Sequence, residues 1–181
     1  ADLEPQPRGV QAMRVRTSSW KMSTKIRYLR RCSATDRTSS RSACRRAGIQ
    51  LGGYSLLSSR RIQPDGDNCL NPETGQPGGQ IHGFCPALAS DWGQRYFERL
   101  YRFFEETGFD LLEHDGPYPG DLDAAARPPL QKGVEDSRWV QWSIAAEFYS
   151  WCRGRGIYLN TPDWYYLVGS TKCGMGYREV N

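Results

Sequence analysis

The 181-residue sequence is poor in the groups that build metal centres. It has two histidines and six cysteines, at positions 32, 44, 69, 85, 152 and 173, and no two cysteines form a Cys-x-x-Cys pair. That spacing argues against a structural zinc site. A chain of this length does not need a disulfide framework, so the cysteines read as reduced, buried or incidental thiols. No G-x-G-x-x-G follows an apolar run and no P-loop is present, which removes the common nucleotide-binding fingerprints. No apolar stretch approaches the roughly 18–20 residues that span a bilayer, so no membrane partner is expected. The start shows no basic region followed by an apolar one, hence no visible secretory signal. The chain opens on Ala1 and stops soon after a Gly-rich stretch, so the expectation is a fragment lacking both ends.

Periodicity is also missing, but only at one end. Residues 1–46 are rich in Ser, Thr and Arg and show no sustained apolar repeat of 3.6 or 2. Residues 1–48 hold 12 Lys and Arg against 3 Asp and Glu, a net of +9, whereas residues 49–181 hold 12 against 17, a net of −5. The division that follows is a basic, poorly structured, low-complexity arm over 1–46 and a folded domain over 47–181. Three readings of the arm stand: a solvated tail, non-native sequence from a frame error, or a nucleic-acid contact. The last is the least favoured, because the arm's aromatics are sparse and it carries no known binding motif.

What is present from Arg46 onward is a unit repeated three times: RRAGIQLGGYSL, EETGFDLLEHDG and CRGRGIYLNTPDW. Each places charged residues before Gly48, Gly108 or Gly156 and a short β-rich run after it. Glycine there suits the left-handed residue that ends a helix, and the run suits a buried parallel strand. The segment before Gly108 reads as a helix capped by Asp91, with Trp92, Tyr96, Leu100 and Phe103 on its apolar stripe. The segment before Gly156 reads likewise, with Val140, Ile144, Phe148 and Trp151, and Glu135-Asp136 as its cap. Helix–Gly–strand in series predicts an α/β fold with a parallel sheet and right-handed crossovers. The long loops after the strands, over 58–90, 116–133 and from 165 on, favour part of a (β/α)8 TIM barrel over a doubly wound sheet.

The strand ends carry unusual cargo. In FDLLEHD, side chains alternate, so Glu113 and Asp115 share a face and His114 takes the other, where it reads as packing. The two acids stand about 6–7 Å apart along the strand, and burying such a pair is costly without a function or basic partners. The third run ends in Asn160, Asp163 and Trp164, and the first in Tyr54, Ser55 and Arg60. Acids, aromatics and hydroxyls at one rim suit sugars, whose rings stack on aromatic faces and whose hydroxyls need paired donors and acceptors. Tyr54, Arg60, Glu113, Tyr118, Asn160 and Trp164 are the candidate sugar-binding residues.

LLEHDGPYPGD, the GVEDSRWVQW helix and RGIYLNTPDWYYLVGSTKCGMGYRE together resemble (β/α)8-barrel glycoside hydrolases of the α-galactosidase and α-N-acetylgalactosaminidase type from polysaccharide-degrading bacteria. The resemblance covers about residues 46–181 and is strongest from 105 on. It implies a retaining, exo-acting glycosidase on a galactose-type sugar, needing no cofactor, periplasmic or secreted when full length. It makes Asp115, at a strand end, the nucleophile candidate. Asp163 matches the place of a second catalytic carboxyl, although some relatives carry Glu there. The rival readings are a non-catalytic carbohydrate-binding fragment and a metal-dependent barrel lyase or aldolase using Glu113, His114 and Asp115. Strand alternation counts against the last.

Overall fold

A computed structural model describes the backbone of residues 11–16 and the whole of residues 42–57, 60–79, 83–115 and 121–161. Its elements in chain order are β1 (Gln11–Arg16), β2 (Ile49–Leu56), α1 (Asp91–Thr107), β3 (Leu111–Asp115), α2 (Val134–Gly154) and β4 (Tyr158–Asn160). A short helical stretch over 42–46 precedes β2. The sheet order is β1-β2-β3-β4. The three predicted runs are the parallel strands β2, β3 and β4. β1 differs from expectation: it pairs antiparallel with β2, in a segment read as lacking regular elements, and makes the sheet mixed. Its pairing is long-range backbone hydrogen bonding, which a search for apolar periodicity does not detect.

Both helices end as expected at their C-termini. Gly108 closes α1 with φ 58° and its N–H returns to Phe104 O, and Gly48 and Gly156 also take positive φ. At the N-terminus of α1 the cap is Ser90 rather than Asp91: the Ser90 hydroxyl accepts from Gly93 N at 3.2 Å. In α2, Asp136 reaches back to accept from the backbone N–H of Lys132 and Gly133. Those bonds hold its carboxyl below the usual carboxylate range, against a smaller opposing effect of burial.

Both helices lie on one face of the parallel strands. That face carries Ile49, Leu51, Leu112 and Leu159, all buried, in one cluster with Phe97, Leu100 and Phe104 of α1 and with Ala145, Phe148, Tyr149 and Cys152 of α2. The buried stripes are rotated about one residue from those predicted. Trp92, Tyr96, Phe103, Ile144 and Trp151 are only partly buried, flanking the cluster. Amphipathic spacing fixes the width of a stripe, but the neighbouring strands decide its centre. Aromatic contacts such as Phe97–Phe148, with ring centroids 5.5 Å apart, and Tyr101–Trp151, at 4.8 Å, join the two helices.

Gly52 sets how closely β2 and β3 match on the other face. A Cβ built on Gly52 would lie 2.6 Å from Leu111 Cδ2 and 2.9 Å from Leu111 O. Consecutive parallel strands with both helices on one side define a partial α/β fold. The described residues supply four strands, short of the eight that close a barrel.

Candidate active site

The face of the sheet away from the helices is built from the alternate residues. The register pairs Tyr54 with Glu113 and Leu56 with Asp115, and Glu113 with Asn160. Residues paired in a parallel ladder point to the same side, so Tyr54, Glu113 and Asn160 form a row across three strands. Asp115 stands one step nearer the strand ends. All four are half-buried, in contrast to the helix-covered face. Four sequence candidates from three separate runs are therefore brought together.

The row is also connected. The Tyr54 hydroxyl donates a hydrogen bond to Asp115 Oδ2. Glu113 is held above the usual carboxyl range, first by burial and second by the charge of Asp115. The two acids are thus placed in unlike environments: one accepts a phenol hydrogen bond, and the other is biased towards its protonated form. Unlike environments for neighbouring carboxyls are one way a site divides the roles of two acids.

His114 takes the opposite face and is fully buried. Its Nδ1 is 2.7 Å from the Tyr149 hydroxyl and its Nε2 is 2.8 Å from the Tyr96 hydroxyl, which in turn lies 2.6 Å from Ser55 Oγ. Both ring nitrogens are engaged and the ring packs edge-on to Phe97 and Phe148. Burial, with a smaller contribution from the Arg60 charge, lowers its pKa to about 3. The ring is therefore neutral at ordinary pH, with one nitrogen donating and the other accepting. Burial also lifts the Tyr96 hydroxyl to about 12, against the Ser55 bond and Arg60, which act to lower it. Glu113, His114 and Asp115 consequently do not converge on one point.

Arg60 belongs with this second group. Its guanidinium lies 4.9 Å from the Trp92 ring centroid and 5.8 Å from that of Tyr96, a cation–π geometry. Tyr118, Asp163 and Trp164 lie outside the described residues.

Sequence reading passed over two buried acids after β3, one of which, Asp123, organises the loops around the strand ends. Asp121 and Asp123 are fully buried. Asp123 pairs with Arg127 Nε and accepts from Leu70 N at 2.9 Å and Gln131 Nε2 at 3.0 Å. Arg127 continues to the carbonyls of Gly66 and Asn68. The loop after β2 and the loop after β3 are thereby locked together. The Asp-x-x-x-Arg spacing of Asp123 and Arg127 was the available signal, but nothing local marks the pair as buried.

Among the described residues, fold and site define an α/β protein with acids on the face of three parallel strands away from the helices, at the C-terminal ends of those strands. No protein-family model matches the chain, and no curated protein matches it in sequence. Among solved structures it is similar to α-N-acetylgalactosaminidase NagBb from Bifidobacterium bifidum. The ligand-free form gives a TM-score of 0.51 at 16% identity, over 74% of this chain and 24% of that one. A quadruple mutant of the same enzyme gives 0.52 at 17% identity, over 77% and 24%. This chain thus spans about a quarter of the length of that enzyme. At such identity the likeness is one of fold.

Proposed function

We propose that this chain is part of a barrel-type glycoside hydrolase and that Asp115 is its attacking carboxylate. The observation that carries the reading is the row on the open face: Glu113 and Asp115 together, Tyr54 bonded to Asp115, and Asn160 level with Glu113. Sequential parallel strands with helices on one side suit a singly wound sheet, as in a (β/α)8 barrel, rather than a doubly wound one. The open face then becomes the barrel interior and Asp115 its rim. The likeness in fold to an α-N-acetylgalactosaminidase accords with a galactose-type sugar as substrate; exo action and retention of configuration are part of the proposal.

In this reading Asp115 attacks the anomeric carbon to give a glycosyl-enzyme, and a second carboxyl protonates the leaving oxygen and later activates water. Asp163 is the proposed second carboxyl. Glu113 sits on the same strand and side as Asp115, so it cannot flank the scissile bond. Its half-buried carboxyl suits a hydrogen bond with a sugar hydroxyl, with Asn160 beside it. Tyr54 orients the nucleophile. Tyr118 and Trp164 are proposed sugar contacts on the rim.

The test is covalent trapping. An activated 2-deoxy-2-fluoro-glycoside or a glycosyl epoxide should label the peptide that carries Asp115. In a chain that turns over aryl glycosides, Asp115→Asn should lower kcat by several orders of magnitude with binding retained. Asp115→Ala with azide should yield a glycosyl azide of inverted configuration. A label on another residue, or turnover by Asp115→Asn near the parent rate, overturns the assignment.

A further inference from the structure

The loop after β2 contains a pair of cysteines that face each other. Asn68 and Pro86 form an antiparallel bridge. On one side of it Ala87 N donates to Asp67 O at 2.8 Å, and on the other Cys69 N donates to Cys85 O at 2.8 Å. Cys69 and Cys85 are therefore directly opposed residues of a short antiparallel ladder. Directly opposed residues of an antiparallel pair have Cα atoms about 4.5–5.5 Å apart, inside the roughly 4.4–6.8 Å range that a disulfide bridges. Both thiols are buried and form, with Ala87, an apolar cluster separate from the main core. Cys44 and Cys152 are instead part of the helix–sheet core.

We propose that Cys69 and Cys85 close as a disulfide in an oxidising compartment, clamping the loop after β2 at the end of the sheet that carries Asp115. The link makes a ring of residues 70–84. The same loop is tied to the segment after β3, because Leu70 N donates to Asp123 Oδ1 and Ala124 N donates to Leu70 O at 2.8 Å. A covalent ring there stiffens the loop that these hydrogen bonds join to the segment after β3. The oxidant is a disulfide, such as oxidised glutathione or a protein dithiol oxidase. One cysteine thiolate attacks it and expels one thiolate. The second cysteine thiolate then attacks the mixed disulfide and expels the other. Two cysteine thiols are oxidised, one external disulfide is reduced to two thiols, and the protons pass to those thiols. In the folded, reduced protein, the hydrogen bond to Cys85, burial and the nearby acids Asp123 and Asp121 all push the Cys69 thiol up. The folded pair is consequently unreactive, and closure belongs to a state in which the loop is transiently open.

The test uses the full chain, opened transiently in urea with oxidised and reduced glutathione and returned to native buffer. The protein is then unfolded, alkylated and digested. Arg95 is the first Lys or Arg after Arg61, so trypsin releases both cysteines on one peptide. The expected result is that this peptide has lost two hydrogens and takes up no alkyl group, while Cys44 and Cys152 are alkylated. The Tm of the oxidised protein should fall by about 6–12 °C on reduction, and Cys69→Ala/Cys85→Ala should show no such dependence. Two alkyl groups or a glutathione adduct on the peptide, or a link to any other cysteine, overturns the proposal. A Tm indifferent to reduction overturns the clamp.

Discussion

Protonation of His114 is where acid should first weaken this fold. The imidazole sits under Phe97 and Phe148 with Tyr96 and Tyr149 on its two nitrogens, and the charge of Arg60 acts on it. Burial and the Arg60 charge both disfavour an added proton. Its folded pKa is about 3, below the ordinary 6.5. A depressed histidine pKa means the unfolded chain binds the proton first, so stability is full above the unfolded value and is lost as pH falls below it. The loss proceeds at about 1.4 kcal/mol per pH unit and ends only near the folded value. From pH 7.5 to 5.0 it amounts to about 2 kcal/mol, a large part of the 5–15 kcal/mol typical of a domain. The assay is urea unfolding at pH 7.5, 6.5, 5.75 and 5.0 on the parent and on His114→Gln. The variant should be less stable at pH 7.5, by about 1–3 kcal/mol for the disturbed hydrogen bonds. Its stability should be flatter with pH by about 2 kcal/mol over the same range. His82 and every carboxyl are common to both proteins and cancel in the comparison. Equal pH slopes for the two proteins would refute the argument that this ring is buried neutral.

The remaining predictions concern packing and the loops. Gly52→Ala should destabilise by about 1–3 kcal/mol, read as a lower urea midpoint, because the new Cβ meets a Leu111 backbone carbonyl that cannot swing away. Asp123→Ala should cost about 3–5 kcal/mol by leaving Arg127 unpaired in a mostly buried site. Limited proteolysis should then show earlier cutting within residues 60–79, which an intact loop resists. Ser90→Ala should lower stability by about 1 kcal/mol through the lost cap, and Asp91→Ala by less, which thermal unfolding will rank.

Sequence alone was enough for the three runs that became β2, β3 and β4, since apolar β-rich stretches bounded by left-handed glycines are local signals. It was enough for the two helices, and for the alternation that puts Glu113 and Asp115 on one face and His114 on the other, because side-chain direction in a strand follows from backbone geometry. It fell short wherever a partner lies far along the chain. The alignment of Tyr54 and Asn160 with Glu113 depends on strand register, which is set by packing across the sheet. The seating of Arg60 over Trp92 and Tyr96 depends on where α1 docks. The centres of the helical stripes shifted by a residue for the same reason, and β1 was invisible because its pairing is carried by backbone bonds. Asp123 with Arg127, and Cys69 opposite Cys85, are polar or small groups made consequential only by burial, and burial is a property of the tertiary structure.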